Sequence, residues 1–330
     1  MRDRYMQSLA DDEVWRCLTT LRVKFDYFAV DANFRESWRT AVDVLGPRAP
    51  WLLQRIALLT VRPEGVIARK AHPCVRTMIE RDFLPIYGHR CCYNRVMIRD
   101  LWRYQWNVAT LDRLAIGDRV HYLADALNLV FMDVSSPLLI PAASRLTAHK
   151  GSASPEARRA DHIRSVLGAP NRIMVVVHCP DEPMDVVREL GILFDRAALT
   201  TLYATLADRV AGGVTADPTP QIEELYAEVT ARSLSVEDAC AAVTARLDGC
   251  GGGAARRAAA ALGAARAGGR LDWDRWAADL HECGFDPDDW AVTVVASQYV
   301  EHDLPGAACL ISRTGRQLWQ AGEGRMVGTA

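Results

Sequence analysis

A histidine and a glutamate near the middle of the chain have the types and the spacing that nucleophilic catalysis requires. His178 follows the apolar run 173–177, and Glu189 comes eleven residues later. An imidazole at the end of a buried strand is held rigidly, and a carboxylate on its second nitrogen fixes the tautomer and raises its nucleophilicity. The residues alone also allow a core histidine capped by a nearby acid. The pair is therefore a candidate nucleophile with its orienting carboxylate.

The elements that must position this pair are a strand before His178 and a helix that carries Glu189. Between Glu182 and Arg196 the apolar residues recur at helical spacing, which predicts a helix with a defined packed face; they are Val186, Val187, Leu190, Leu193 and Phe194. Glu189 lies near the border of that face, so the spacing from strand to helix allows its carboxylate to meet the imidazole.

Further motifs precede the pair in a fixed order. Residues 58–66 read as an apolar strand that ends in Arg62-Pro63-Glu64-Gly65, residues 75–81 and 100–106 as helices, and residues 128–134 as a strand. A loop then runs from Gly151 to Ile163-Arg164, and His178-Cys179-Pro180-Asp181 and the helix 188–194 follow. In order and spacing, these motifs resemble those of the nucleoside diphosphate kinase family.

The resemblance implies an α+β fold for residues 55–195, a ferredoxin-like antiparallel sandwich with helices on one face of the sheet. Around it we expect a helical N-terminal extension over 1–54 and a helical segment over 196–250. Residues 251–330 would form a linker and a small α/β region. In that last region the apolar run 291–300 predicts a strand, and residues 308–320 predict a hairpin around Thr314-Gly315.

The activity that the resemblance implies is ping-pong phosphoryl transfer. His178 would attack the terminal phosphate of a nucleoside triphosphate and pass it to a small-molecule acceptor, while Glu189 orients the imidazole. The residues expected to bind the nucleotide and its phosphates are Arg62, Trp106, Leu114, Arg145 and Arg164. Mg²⁺ would arrive with the nucleotide, so no protein metal site is expected. The family commonly forms homo-oligomers, which the extensions at both ends of this chain could block.

Several positions depart from the family pattern. Val175 stands where the family has an asparagine, Cys179-Pro180 replaces Gly-Ser, and Arg62 replaces a lysine. Trp106 stands in place of a tyrosine, and one residue is inserted between Arg164 and His178. Three interpretations stay open. They are a phosphotransferase with a specialised nucleotide or small-metabolite substrate, a nucleotide- or partner-binding module without phosphotransfer, and a different transferase chemistry on the same fold.

Composition narrows the class of protein further. The chain has 330 residues, half of them hydrophobic, and a formal net charge of −2, which argues against a nucleic-acid or anionic-membrane surface. No run reaches transmembrane length, and the charged start Met1-Arg2-Asp3-Arg4 is followed by no secretory apolar stretch. Nine cysteines without a Cys-x-x-Cys pair indicate reduced thiols rather than a zinc site. We therefore expect a cytoplasmic protein.

Overall fold

A four-stranded antiparallel sheet lies at the centre of the fold. The structure is a computed structural model that describes residues 3–286 and 288–328, so Met1 and Arg2 of the charged start lie outside it. The strands are β1 (Ile56–Val61), β2 (Phe83–Cys91), β3 (Ala126–Asp133) and β4 (Val177–His178), in the order β2-β3-β1-β4. Strand β3 confirms the strand predicted over 128–134. Thr60 pairs with His178, which places the histidine beside the end of β1.

The helices fall into groups between the strands. Before β1 lie α1 (Arg4–Asp11), α2 (Arg22–Phe28), α3 (Ala32–Leu45) and α4 (Ala49–Arg55). Between β1 and β2 lie α5 (Pro63–Ile67) and α6 (Ala71–Ile79), and between β2 and β3 lie α7 (Arg95–Leu101) and α8 (Leu111–Tyr122). Between β3 and β4 lie α9 (Ala142–Lys150) and α10 (Ile163–Val166).

After β4 the described chain is helical. The helices are α11 (Pro183–Leu193), α12 (Arg196–Gly212), α13 (Thr219–Glu228), α14 (Val236–Asp248), α15 (Gly253–Arg266), α16 (Trp273–Glu282), α17 (Trp290–Tyr299) and α18 (Gly315–Gln320). Short 3₁₀ helices cover Val14–Cys17, Gly46–Arg48, Trp106–Val108 and Pro155–Ala157.

Helices cover both faces of the sheet, which corrects the expectation of helices on one face. Leu59 and Phe131 point into a core with α6, α8 and the C-terminal helices α13 to α17, whereas Leu58 and Val130 point into a second core with α1 to α4, α11 and α12. Side chains alternate between the two faces of a strand, so a strand that is apolar throughout needs cover on both. All residues of β1 and β3 are buried accordingly.

Two predictions for the C-terminal region are wrong. Residues 291–299 belong to helix α17 instead of a strand, and the second half of the proposed hairpin is helix α18. Because α17 is buried on most of its surface, its sequence is a continuous apolar run, and such a run does not distinguish a buried helix from a buried strand. Asp289 caps the start of the helix, and its carboxylate accepts a hydrogen bond from Val292 N at 3.1 Å.

The helix predicted over 100–106 is also wrong in its extent. Helix α7 ends at Leu101, and turns lead to the 3₁₀ helix that starts at Trp106. Across this turn Trp102 and Trp106 stack with ring centroids 4.8 Å apart. The stacking of the two indole rings therefore outweighs the weak helix propensity of residues 102–106.

Candidate active site

The imidazole of His178 is held by the carboxylate of Glu189. His178 is the last residue of β4, and its Nε2 lies 2.9 and 3.0 Å from the two carboxylate oxygens of Glu189 on α11. The imidazole and the Trp102 ring form a near-perpendicular, edge-to-face pair with centroids 5.4 Å apart. Within the described part of the chain, Nδ1 of His178 has no hydrogen-bond partner. The carboxylate therefore occupies one ring nitrogen and leaves the other available.

The backbone just before His178 adopts a conformation that is rare for its residue type. Val176 has a φ of +66°, and Val177 N donates to Val175 O at 2.7 Å, which closes a γ-turn around Val176. A positive φ is costly for a β-branched residue and persists only when the surroundings impose it. The strain thus lies two residues before the candidate nucleophile.

The Arg62-Pro63-Glu64-Gly65 motif is what imposes this turn. Arg62 N donates to Val176 O at 2.9 Å, and Val176 N donates to the Glu64 carboxylate at 3.1 Å. A Cβ on Gly65 would lie 2.8 Å from Val176 O, so only glycine allows the close approach. The sequence motif after β1 therefore positions the residues that lead into His178.

Arg62 and Glu64 form a buried ion pair at the base of the site. Arg62 Nε lies 3.1 Å from a Glu64 carboxylate oxygen, and both side chains are almost fully buried. Burial raises the pKa of Glu64, although Arg62 opposes the shift. The guanidinium of Arg62 also lies 5.5 Å from the centroid of the Trp102 ring.

His178 lies in a cleft of about 460 Å³ that is rich in positive charge. Eight basic side chains other than histidine line it: Arg62, Arg113, Lys150, Arg159, Arg164, Arg172, Arg313 and Arg316. Three carboxylates line it as well, those of Asp181, Asp185 and Glu189. A cleft lined mainly by one sign of charge concentrates ligands of the opposite sign. The cleft around His178 therefore favours the binding of anionic ligands.

Arg164 and Lys150 hold the loop around Cys179 from one side of the cleft. Arg164 donates to Val177 O at 3.1 Å and to Gly151 O at 3.0 Å. Burial lowers its pKa to about 9. Lys150 donates to Cys179 O at 2.8 Å and to the Asp181 carboxylate at 3.1 Å. Among the described residues Arg164 has no carboxylate in salt-bridge range, so its charge is uncompensated in this cleft.

A wall of stacked aromatic rings forms another side of the cleft. Trp106 packs on Gly117, where an added Cβ would lie 3.1 Å from the indole ring. Behind Trp102 lies the imidazole of His121, 5.0 Å away between centroids, and burial lowers the pKa of His121 well below its usual value. His121 is therefore neutral, and the two indole rings give this side of the cleft an apolar surface, of which Trp102 is buried and Trp106 is partly exposed.

The structure brings most of the predicted site residues together but leaves two away from the cleft. Arg62, Trp106 and Arg164 line it with His178 and Glu189. Arg145 instead pairs with Asp133 at 2.5 Å, donates to Arg81 O at 2.8 Å and covers the Phe83 ring. Leu114 is half-buried on α8 and does not line the cleft. The roles of all these residues stay predictions, and the geometry gives Arg145 and Leu114 no part in this cleft.

Comparisons with known proteins find matches among solved structures, and the likeness described here is weak. No family model and no curated protein sequence matches the chain. Among solved structures, the chain is similar to nucleoside diphosphate kinase from Encephalitozoon cuniculi in its apo cubic form. The sequence identity is 11% and the TM-score 0.34, over 42% of this chain and 87% of that chain. A likeness of this size carries no argument about function. Within the described residues, no helix combines the length and hydrophobicity that crossing a bilayer requires.

Val175 and Pro180, two of the positions that depart from the family pattern, offer the cleft fewer hydrogen-bond donors. Val175 lines the cleft without a hydrogen-bonding side chain, and Pro180 has no backbone N–H. Cys179 is buried with its Sγ 3.6 Å from Thr147 Oγ1, and burial raises the pKa of its thiol. The thiol is therefore protonated at neutral pH and unsuited to act as a nucleophile.

A buried charge cluster at the start of α11 was not predicted. Lys24 on α2 lies 2.5 Å from the carboxylates of both Glu182 and Asp185. Glu182 also accepts hydrogen bonds from Thr19 Oγ1 at 2.7 Å and from Trp319 Nε1 at 2.9 Å. These partners come from both ends of the chain. The only local signal was an acidic pair directly before the helix that carries Glu189.

The two carboxylates on Lys24 differ in how strongly they hold a proton. Burial would raise the pKa of Glu182, but Lys24 and the hydrogen bonds from Thr20 and Thr19 outweigh it and lower that pKa. Burial raises the pKa of Asp185 from 3.8 to about 7, because Lys24 offsets it only in part and the charge of Glu182 adds to it. Asp185 is therefore the member of the pair that keeps a proton as the pH rises.

We expect Asp185→Asn to remove a pH-dependent component of stability. Between pH 4 and pH 7 the unfolded chain has lost the Asp185 proton and the folded chain retains it, so this group lowers the free energy of unfolding as the pH rises. The amide does not titrate. Urea unfolding of both proteins at several pH values gives the difference in unfolding free energy, which should shift in favour of the variant from pH 4 to pH 7. A constant difference would contradict the raised pKa.

Proposed function

We propose that this protein is a divergent phosphotransferase that takes the terminal phosphate of a nucleoside triphosphate onto His178 and passes it to a small-molecule acceptor. The observation that carries the proposal is the contact of both Glu189 oxygens with His178 Nε2, which leaves Nδ1 as the free nitrogen in a cation-rich cleft. The order of motifs in the sequence adds independent support. The acceptor is a small molecule with a hydroxyl or phosphate oxygen.

In the first half of the reaction, the lone pair on Nδ1 of His178 attacks the terminal phosphorus. The P–N bond forms, the bond from phosphorus to the bridging oxygen breaks, and the nucleoside diphosphate leaves with that electron pair. In the second half, an acceptor oxygen attacks the same phosphorus and the P–N bond breaks, with its electron pair returning to Nδ1 to restore the imidazole. A hydroxyl acceptor loses its proton to solvent in this step. Glu189 accepts the Nε2–H hydrogen bond and stabilises the positive charge that develops on the ring.

The basic side chains of the cleft would stabilise the charge on the transferred phosphoryl group. Phosphoryl transfer depends on positioning and on neutralising the phosphate oxygens more than on covalent chemistry by the protein. Arg62 and Arg164 are both buried next to the segment that leads into His178 and are the side chains assigned to this task. The ring of Trp106, which is partly exposed, would stack with the nucleotide base.

Mg²⁺ would be held by the phosphates of the nucleotide and by water. The three carboxylates that line the cleft are already paired: Asp181 with Lys150, Asp185 with Lys24 and Glu189 with His178. A Mg²⁺ site built from protein ligands needs free carboxylate oxygens, and these three carboxylates are already paired. This agrees with a metal ion that is bound by the substrate.

The fold proposed for residues 55–195 is the ferredoxin-like sandwich. Support comes from the strand order β2-β3-β1-β4, the antiparallel pairing of all neighbours, and the connections through α6 and α9. This is the arrangement of the β-α-β-β-α-β unit. The helices on the second face are then additions to that unit from the N-terminal extension and from α11 and α12.

One observation favours a second candidate, a module that binds nucleotide without transferring phosphate. Val175 and Pro180 remove a side-chain donor and a backbone donor from the surroundings of His178. Fewer donors mean weaker stabilisation of the phosphoryl group in the transition state. The test below separates the two candidates.

The test is phosphoenzyme formation with radiolabelled nucleoside triphosphates. Wild type incubated with γ-labelled ATP or GTP and MgCl₂ should acquire a label that acid removes and base does not. His178→Ala should acquire none. His72→Ala is the matched control, because His72 is partly exposed, pairs with Glu223 on the surface and should leave labelling unchanged. If wild type binds nucleotide but never labels, the phosphohistidine mechanism is wrong and the binding module stands.

A further inference from the structure

The chain returns to the cleft after α17 through residues 303–320, here called the C-terminal segment. At its start Asp303 pairs with Arg172 at 2.5 Å and with Arg113, both of which line the cleft. Further on, α18 packs against α9. The segment itself places Arg313, Arg316 and Gln317 in the lining of the cleft. A part of the chain far outside the kinase-like motifs thus forms one wall of the site.

The C-terminal segment is seated on the buried carboxylate of Glu182. The indole of Trp319 is buried and donates to that carboxylate at 2.9 Å. Gly315 packs directly on it, since an added Cβ would lie 2.5 Å from the carboxyl carbon of Glu182. Gly315 O also accepts a hydrogen bond from Thr20 Oγ1 at 3.2 Å. The backbone on both sides of Gly315, which bears Arg313 and Arg316, is therefore held in a defined place.

Arg313 and Arg316 differ from the other cations of the cleft in having no partner. Arg62, Arg113, Arg159, Arg172 and Lys150 each pair with a carboxylate, and Arg164 donates to the backbone carbonyls of Val177 and Gly151. Over residues 3–286 and 288–328, the side chains of Arg313 and Arg316 form neither an ion pair nor a hydrogen bond. Arg313 lies close enough to Arg113 and Asp181 for its charge to lower the pKa of both groups. Two uncompensated charges on a wall that already carries an excess of positive charge repel their neighbours, and an anionic ligand would relieve that repulsion.

We propose that Arg313 and Arg316 form a second anion subsite, which binds a phosphate or carboxylate group of the substrate other than the phosphoryl group that reacts at His178. The inference rests on the proposed function and names its substrate class: a small molecule with at least two anionic groups. The guanidinium groups would bind the second group through charge-assisted hydrogen bonds. The C-terminal segment is then the part of the chain that selects the substrate.

The experiment measures binding of inorganic tripolyphosphate by titration calorimetry, with the full-length chain. Arg313→Ala/Arg316→Ala should raise the dissociation constant by about tenfold or more, because two charge-assisted contacts are lost. The matched control is Arg256→Ala/Arg266→Ala, which removes two exposed arginines of α15 that do not line the cleft and should change binding by less than about twofold. Arg313→Lys/Arg316→Lys keeps the charges and should recover part of the affinity.

The outcomes separate this inference from the proposed function. If the alanine double variant binds tripolyphosphate as tightly as wild type, the subsite is wrong, whatever the phosphoenzyme assay gives. If the two double alanine variants weaken binding equally, the effect is general charge and the subsite is again wrong. If binding depends on Arg313 and Arg316 while wild type never labels at His178, the subsite stands and the phosphotransfer mechanism fails.

Discussion

Replacement of Lys24 by methionine should lower the free energy of unfolding by about 3–5 kcal/mol, because it leaves buried carboxylates without their cation. Lys24 is almost fully buried and lies 2.5 Å from both Glu182 and Asp185. Burial alone would lower the pKa of Lys24, but the two carboxylates outweigh it and raise that pKa. Methionine fills a volume similar to that of lysine, so the decrease in the free energy of unfolding measures the loss of the charge and not the effect of a cavity.

Urea unfolding at neutral pH measures this effect. Lys70→Met is the matched control, since Lys70 is partly exposed and pairs with no carboxylate among the described residues, and it should change stability by less than about 0.5 kcal/mol. The loss in Lys24→Met should shrink as the pH falls, because protonation discharges Glu182 and Asp185. Adding Glu182→Gln and Asp185→Asn to the variant should restore part of the stability. A loss independent of pH would show that the cluster is not held by charge.

Replacement of Glu189 by glutamine should slow phosphorylation of His178 by about 10²- to 10⁴-fold. The amide keeps the shape of the side chain but removes the negative charge that stabilises the ring as the P–N bond forms. It also presents an N–H toward Nε2, which favours the tautomer with its proton on Nδ1 and takes away the nucleophilic lone pair. Both effects slow the phosphorylation of His178.

Rapid-quench measurement of labelling in a single turnover gives the rate constant. Glu223→Gln serves as the control, because Glu223 contacts His72 on the surface by the same kind of histidine–carboxylate pair. Nucleotide affinity should stay within a few fold in both variants, since Glu189 contacts the imidazole and not the phosphates. A Glu189→Gln protein that labels at the wild-type rate would show that the carboxylate has no role in orienting His178.

The local features of the sequence were enough to predict several elements near the site. The apolar strand before Arg62, the strand over 128–134 and the helix that carries Glu189 all occur where hydrophobic spacing placed them. These predictions depend on side-chain periodicity and on caps, which act within a few residues.

Other local patterns were ambiguous because different structures satisfy them equally. The run over 291–300 suits a buried strand and a buried helix alike, and only the packing of α17 between other helices decides between them. The sequences of β1 and β3 are apolar on both faces, which is typical of a sheet that is packed on both sides. The resemblance, in contrast, suggested helices on one face. The helices of the N-terminal extension supply the second cover.

The sequence by itself determined the pairing candidates His178 and Glu189, the Arg62-to-Gly65 motif, and the helices and strands that carry them. Only the tertiary structure decided that this motif holds the γ-turn before His178, that Arg145 and Leu114 lie away from the cleft, and that the C-terminal segment forms one of its walls. The contact between Lys24 and Glu182 joins residues 158 positions apart. Periodicity and capping report interactions between near neighbours in the chain, whereas a cleft is assembled by contacts between distant segments, which those patterns do not encode.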